Sequence, residues 1–293
     1  MRKRSCADAG SRPAIVLAEP SGPAGDPPVR FEGTPPSQRW AIRLEYDGTL
    51  FVGWQRQADG VSVQSVLEEA AARLTGGRPV AVVAAGRTDA GVHAAGQVAN
   101  LDLPHGVSSH LSPARLRDAL NFHLKPNPVV VIRAARVDAA WNARFSAIGR
   151  SYRYRILNRL ARPALSVNQV WHVKPPLDAR AMHAAAQHLV GRHDFTSFRA
   201  TSCQARSPLR TLDRLDVSRD GEVVTIAAEA RSFLHHQVRN MAGTLRLVGE
   251  GRWSADAVAT ALLARDRASA GPTAPPGGLC LVAVTYPEDP FED

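Results

Sequence analysis

A chain of 293 residues has room for a substantial buried core, either as one large domain or as two smaller ones packed together. Its formal net charge of +9 favours a polyanionic partner. Three scattered cysteines, Cys6, Cys203 and Cys280, exclude a disulfide framework or a cysteine-based zinc site and fit a reducing compartment. The apolar run at 14–18 is too short for a signal-peptide core, and no stretch has the length of a membrane helix, so a soluble, cytoplasmic protein is expected.

Residues 1 to 37 hold seven of the 21 prolines and no sustained periodicity, the composition of a disordered tail. They carry five basic and four acidic side chains, so eight of the nine net charges belong to the remainder. Regular structure is expected from Trp40, where Trp40, Ile42, Leu44 and Tyr46 alternate with polar or small residues up to an Asp47-Gly48 turn. Ser62 then caps an amphipathic helix that stops at Gly76-Gly77. Strands follow at 79–85 and 96–103, a helix opened by Ser112-Pro113 runs to about Leu124, and a strand covers 128–137. The second half repeats the order with a strand at 151–158, a helix from Asp178 to Gly191, and a hairpin at 211–230 turned at Asp220-Gly221. A helix at 233–248, a short helix capped by Ser254 and a strand at 279–286 complete it. The reading is α+β: two ferredoxin-like β-α-β-β-α-β lobes, 38–145 and 146–293, with a largely antiparallel sheet.

Between the strands at 79–85 and 96–103 lies Gly86-Arg87-Thr88-Asp89-Ala90-Gly91-Val92-His93. It is no phosphate-binding loop, because Val92-His93 stands where Lys-Ser/Thr is required, and no Gly-x-Gly-x-x-Gly follows any strand. Asp89 and Thr88 are of the type that bonds the backbone of a tight turn. Two features argue for more. A two-residue turn would join such strands, so the longer loop carries something extra, and Arg87 places positive charge near a lone carboxylate.

The loop resembles the signature of the tRNA pseudouridine synthase A family, and further stretches agree in the same order: 43–57, 143–156, 193–200, 233–245 and 270–284. The resemblance covers 39–287 and leaves the tail out. Gln237 stands where Met is more common, and Cys280 where an aromatic is. It implies a pseudouridine synthase fold and isomerisation of uridine to pseudouridine at positions 38, 39 and 40 of the tRNA anticodon arm. It also implies a homodimer, no cofactor and no metal.

Carried over residue by residue, Asp89 matches the catalytic nucleophile, attacking C6 of the base or C1′ of the sugar. A lone acid suffices for this, whereas a glycosidase needs a second carboxyl group. Tyr152 matches a tyrosine that stacks on the uracil and assists proton removal from C5. Arg239 matches the arginine that pairs with the nucleophile, and Arg87 is expected to enter the RNA stack or hold phosphate when the uridine flips out. Between Ala139 and Leu177 there are seven bases, Arg153 and Arg159 among them, and no acid. Interleaved with Phe145, Tyr152 and Tyr154, this run suits phosphate contact and base stacking, although such runs are often only solvated faces. On a helix at 233–248 the adjacent His235 and His236 would diverge by about 100°, which argues against joint metal binding. The rival readings are a non-catalytic RNA-binding protein on the same scaffold and a nucleoside hydrolase.

Overall fold

The computed structural model describes residues 37 to 292, so the expected tail lies outside the described residues apart from Ser37. Ser37 already belongs to the first strand, β1 (Ser37–Tyr46), whose Trp40, Ile42, Leu44 and Tyr46 are buried as their alternation predicts. Helix α1 (Val63–Leu74) begins where Ser62 accepts from the Ser65 amide, with Ser65 reaching back to the cap. Strand β2 (Val82–Ala84) is short, and β3 (His93–Pro104) begins three residues earlier than expected and takes in His93. A one-turn helix, α2 (His105–Ser108), leads to α3 (Pro113–Leu124) and β4 (Val129–Arg136).

The second half runs β5 (Gly149–Asn158), β6 (Trp171–Val173), α4 (Ala179–Ala186), β7 (Gly191–Asp194), β8 (Leu209–Asp220) and β9 (Val223–Ala230). It closes with α5 (Gln237–Gly249), α6 (Ala255–Ala264) and β10 (Leu279–Thr285). Three expectations need correction. The helix from Asp178 ends at Ala186 and tightens into a 3-10 turn over 187–189, and Gly191 opens a strand instead of stopping the helix. The hairpin turns at Gly221-Glu222, one residue later than expected, because Asp220 still pairs with Val223. The helix expected at 233 starts at Gln237, because His236 takes a left-handed conformation with φ of 62°.

The described strands form one mixed sheet in the order β4-β1-β3-β10-β5-β9-β8-β7, with β2 added to β3 and β6 to β5. Within it β4-β1-β3-β2 and β10-β5-β9-β8 repeat one topology, the ferredoxin-like arrangement. The sheet is mostly antiparallel; β10 runs parallel to β3 and β6 parallel to β5. Helices α1 and α3 cover one hydrophobic cluster, centred on Trp40, Leu67, Leu101 and Leu120. Helices α4, α5 and α6 cover a second, centred on Tyr154, Met182, Phe195 and Met241. Strand β10 contributes Leu281 and Val284 to the first and Leu279 to the second, and Tyr152 on β5 packs against both. No described helix is long and apolar enough to cross a membrane.

Candidate active site

The loop between β2 and β3 is anchored along its length. The Ala85 amide donates to the Val98 carbonyl at 2.7 Å, and the buried Gln97 side chain donates to the Gly86 carbonyl at 2.7 Å. The Thr88 hydroxyl meets the Tyr46 hydroxyl at 2.8 Å, and the Thr88 carbonyl accepts from the Trp54 amide. Gly91 has φ of +74° and packs against the Pro276 ring, a backbone conformation that a side chain would strain. At the loop's end His93 accepts from the Gly48 amide through Nδ1 at 3.0 Å and contacts the Asn168 carbonyl through Nε2 at 2.7 Å, which calls for the tautomer protonated at Nε2. His93 is thus a tie between segments.

Arg150 adds a clamp. It is 8% exposed, and its guanidinium donates to the carbonyls of Ala85, Arg144, Ala147 and Arg231. Among the described residues it meets no carboxylate, and burial pulls its pKa down. Within the basic run at 144–174 it is a buried staple that leaves no charge on the surface.

Asp89 sits at the centre of this frame. Its Oδ2 accepts from Nη1 of Arg239 at 2.9 Å, and the two side chains are only 21% and 13% exposed, so water screens the pair weakly. Arg239 is held from its other side, with Nε donating to the Ala274 carbonyl at 2.9 Å. The segment carrying Ala274 lies against α5 because Gly243 has no side chain; a Cβ there would overlap the Pro272 carbonyl. Sequence reasoning paired Asp89 with Arg239, and the two side chains meet across 150 residues.

It placed the histidines wrongly. The left-handed turn at His236 lifts both rings off the helix, so they do not diverge. His235 Nε2 lies 3.4 Å from Oδ1 of Asp89 and His236 Nε2 lies 3.4 Å from Oδ2, with ring centroids 4.0 Å apart. Burial holds the His236 pKa below the ordinary imidazole value; Asp89 opposes this and Arg239 reinforces it. A positive φ at a non-glycine residue leaves no mark in sequence, so only the bare His-His pair was visible. Asp89, His235 and His236 also offer three donor atoms within 4.8 Å of one another, a set suited to a divalent transition ion. Arg239 already occupies Oδ2, and its fixed charge opposes a second cation there.

Tyr152 stands on β5 beside this group. A Cβ on Gly86 would lie 3.9 Å from its hydroxyl, and its ring meets Phe233 edge-on at 5.2 Å. Burial pushes its phenol pKa well above the ordinary value, so the group is a phenol at neutral pH. Arg87 and Arg153 are exposed. Arg159 is spoken for: its Nη1 bonds Glu222 at 2.8 Å and its Nε the Ala161 carbonyl at 2.9 Å. Two concavities lie away from Asp89, one of about 270 Å³ beside Arg73 and Phe122 and one of about 440 Å³ beside Trp253 and Thr260. Neither pairs a nucleophile with a partner.

A family described as tRNA pseudouridine synthase matches residues 42–146 and 185–287, which include Asp89 and Arg239. The chain belongs to the tRNA pseudouridine synthase family. It is similar to the tRNA pseudouridine synthase A of Acidiphilium cryptum, with 71% identity over 255 residues that cover 87% of this chain and 98% of the relative. It is 58% identical to the enzyme of that name from Gluconobacter oxydans, over 86% of this chain and 91% of the relative. With that from Rhodospirillum centenum it shares 59%, over 85% of this chain and the relative's full length. Tyr152 falls in the stretch between the two matched segments, so its place beside Asp89 rests on the geometry.

Proposed function

We infer that this member of the tRNA pseudouridine synthase family isomerises uridine to pseudouridine at positions 38, 39 and 40 of the tRNA anticodon stem-loop, with Asp89 as nucleophile. The observation that carries the role of Asp89 is its pairing with Arg239. A single carboxylate is held by a fixed cation in a loop anchored at every turn, which keeps a charged nucleophile ready without a second acid. The ester that Asp89 forms divides the exchange of a C–N for a C–C glycosidic bond into smaller steps. A purely RNA-binding protein has no use for such a pair.

In this reading Tyr152 stacks on the target uracil, and exposed Arg87 enters the RNA stack as the uridine leaves it. Arg153 meets phosphate from its exposed position on β5. Arg159 takes part only by giving up Glu222, so its contribution is smaller. The lobes divide at 38–145 and 146–293, the enzyme works as a homodimer spanning the tRNA arm, and it acts in the cytoplasm without a cofactor.

Asp89→Asn tests the reading. The variant keeps the loop's size and loses the attacking charge, so tRNA binding and thermal unfolding stay near those of the parent while pseudouridine formation falls to background. A turn-forming Asp89 gives the opposite result, because Asn serves well in turns. Release of free uracil by the parent would instead identify a hydrolase.

A further inference from the structure

We propose that Asn240, Thr273 and Arg267 form a positioning unit for Arg239, fixing the carbonyl that aims its guanidinium at Asp89. This deepens the proposed function and rests on it; the three residues act through Arg239 and are not themselves catalytic.

A long arginine side chain samples many rotamers unless more than one contact fixes it. Besides Asp89, Arg239 has such a contact from Nε to the Ala274 carbonyl. That carbonyl is only as well placed as its own segment, and residues 271–275 lie outside any helix or strand. The backbone ties the segment to α5 at two points. The Ala274 amide donates to the Arg239 carbonyl at 3.1 Å, and the Gly271 amide donates to the Thr244 hydroxyl at 2.9 Å.

The third tie is made of side chains. Asn240 follows Arg239 in α5 and is fully buried. Its Nδ2 donates to the Phe198 carbonyl at 2.8 Å, which fixes the flip of the amide and turns Oδ1 toward the segment. There Oδ1 accepts from the Thr273 hydroxyl at 2.7 Å and from Nη2 of Arg267 at 3.2 Å. Because Oδ1 can only accept, the Thr273 hydroxyl gives it its hydrogen and turns its lone pairs to Nη2 of Arg267, 3.1 Å away. Nη1 of Arg267 donates to the Ala270 carbonyl at 3.3 Å. Adjacent residues of one helix thus grip the same segment, Arg239 by backbone and side chain and Asn240 by side chain. Arg267 meets no carboxylate among the described residues, and burial pulls its pKa down. Desolvating a cation without a counterion opposes folding, so stability alone does not account for an arginine at 267. Fixing the direction of the Thr273 hydroxyl, and with it the Thr273-Ala274 backbone, does.

The test uses the full chain and single-turnover rates at saturating tRNA, measured well below each variant's unfolding transition. Thr273→Val keeps the side chain's shape and removes the hydroxyl, whereas Thr273→Ser keeps the hydroxyl. The Val variant is expected to lower the rate roughly 10-fold, as a slight misplacement of the reacting groups would, with tRNA affinity and its salt dependence unchanged. The Ser variant should return to within a few-fold of the parent. Arg267→Met should match Thr273→Val in rate, again with unchanged salt dependence. Because the unit acts through Arg239, adding Thr273→Val to Arg239→Lys should slow the Lys variant no further. A parent-like rate for Thr273→Val, or losses that multiply in the double variant, overturns the proposal while the activity itself stands. A salt slope lowered by about one in Arg267→Met would make that residue a phosphate contact and overturns its place in the unit. A parent chain that forms no pseudouridine overturns both readings.

Discussion

Arg239 holds Asp89 from α5 while its own Nε is held by the Ala274 carbonyl, both contacts at 2.9 Å. The guanidinium is thus fixed at two ends, and the direction of the Asp89 carboxylate is set by the fit of the segment around Ala274 against Gly243. Lysine would keep the charge and lose the second contact, because its ammonium has no fork. Arg239→Lys is expected to lower the single-turnover rate by roughly 100-fold, the scale of one lost preorganised donor. Affinity for tRNA should barely change. A rate within a few-fold of the parent's would show that charge alone suffices.

Arg150 supports the same loop from below. Truncating it leaves four carbonyls without their shared donor. Arg150→Met is expected to cost about 2–4 kcal/mol of stability, the scale of several unsatisfied buried acceptors, without reducing the salt dependence of tRNA binding. Denaturant unfolding and binding titrations at several salt concentrations check the two halves separately.

The two arginines assigned to phosphate should separate. Arg153 is exposed, and Arg153→Ala should reduce the slope of log affinity against log salt by about one. Arg159 is already paired with Glu222, so Arg159→Ala should change the slope less, and Glu222→Gln should strengthen binding slightly by freeing the guanidinium. Equal slopes for the two alanine variants would contradict this division.

Tyr46 gives a pH-dependent handle on the loop. Its hydroxyl bonds Thr88, and burial pushes its pKa from 10.0 to about 12. Above pH 10 the unfolded chain releases this proton and the native one keeps it, so its contribution to stability falls as pH rises through that window. Tyr46→Phe is expected to cost about 1 kcal/mol at pH 8 and to lose less stability than the parent between pH 10 and 11. Urea unfolding at the three pH values measures both effects.

Much of this was legible beforehand, for reasons local to the residues concerned. Ser62, Ser112 and Ser254 announce helices because a capping hydroxyl acts within one turn of its own position. The alternation from Trp40 to Tyr46 reports a face that the strand must bury. Asp89 and Arg239 were found through the motifs around them. What stayed hidden was long-range or conformational. Arg150 reads as one more surface base in a basic run, since nothing nearby foretells the carbonyls that surround it. Gln97 reads as an ordinary strand residue until the Gly86 carbonyl is seen beside it. His236 reads as helical because the apolar spacing from Leu234 to Val238 continues through it, although the backbone there turns the other way.

The position of β10 has a consequence for how the protein comes into being. Strands made early stand on one side of it and strands made later on the other, and β10 fills the seam between β3 and β5. Synthesis runs from the amino end, so a ribosome that has passed residue 278 has produced both halves but not the piece that joins them in one sheet. The edges of β3 and β5 wait unpaired until then, exposed to mispairing with each other or with another chain. Asp89 and Arg239 stand on opposite sides of that seam. The pair of Asp89 and Arg239 is therefore completed only once β10 has been made, and a nascent chain carries both residues before it can bring them together.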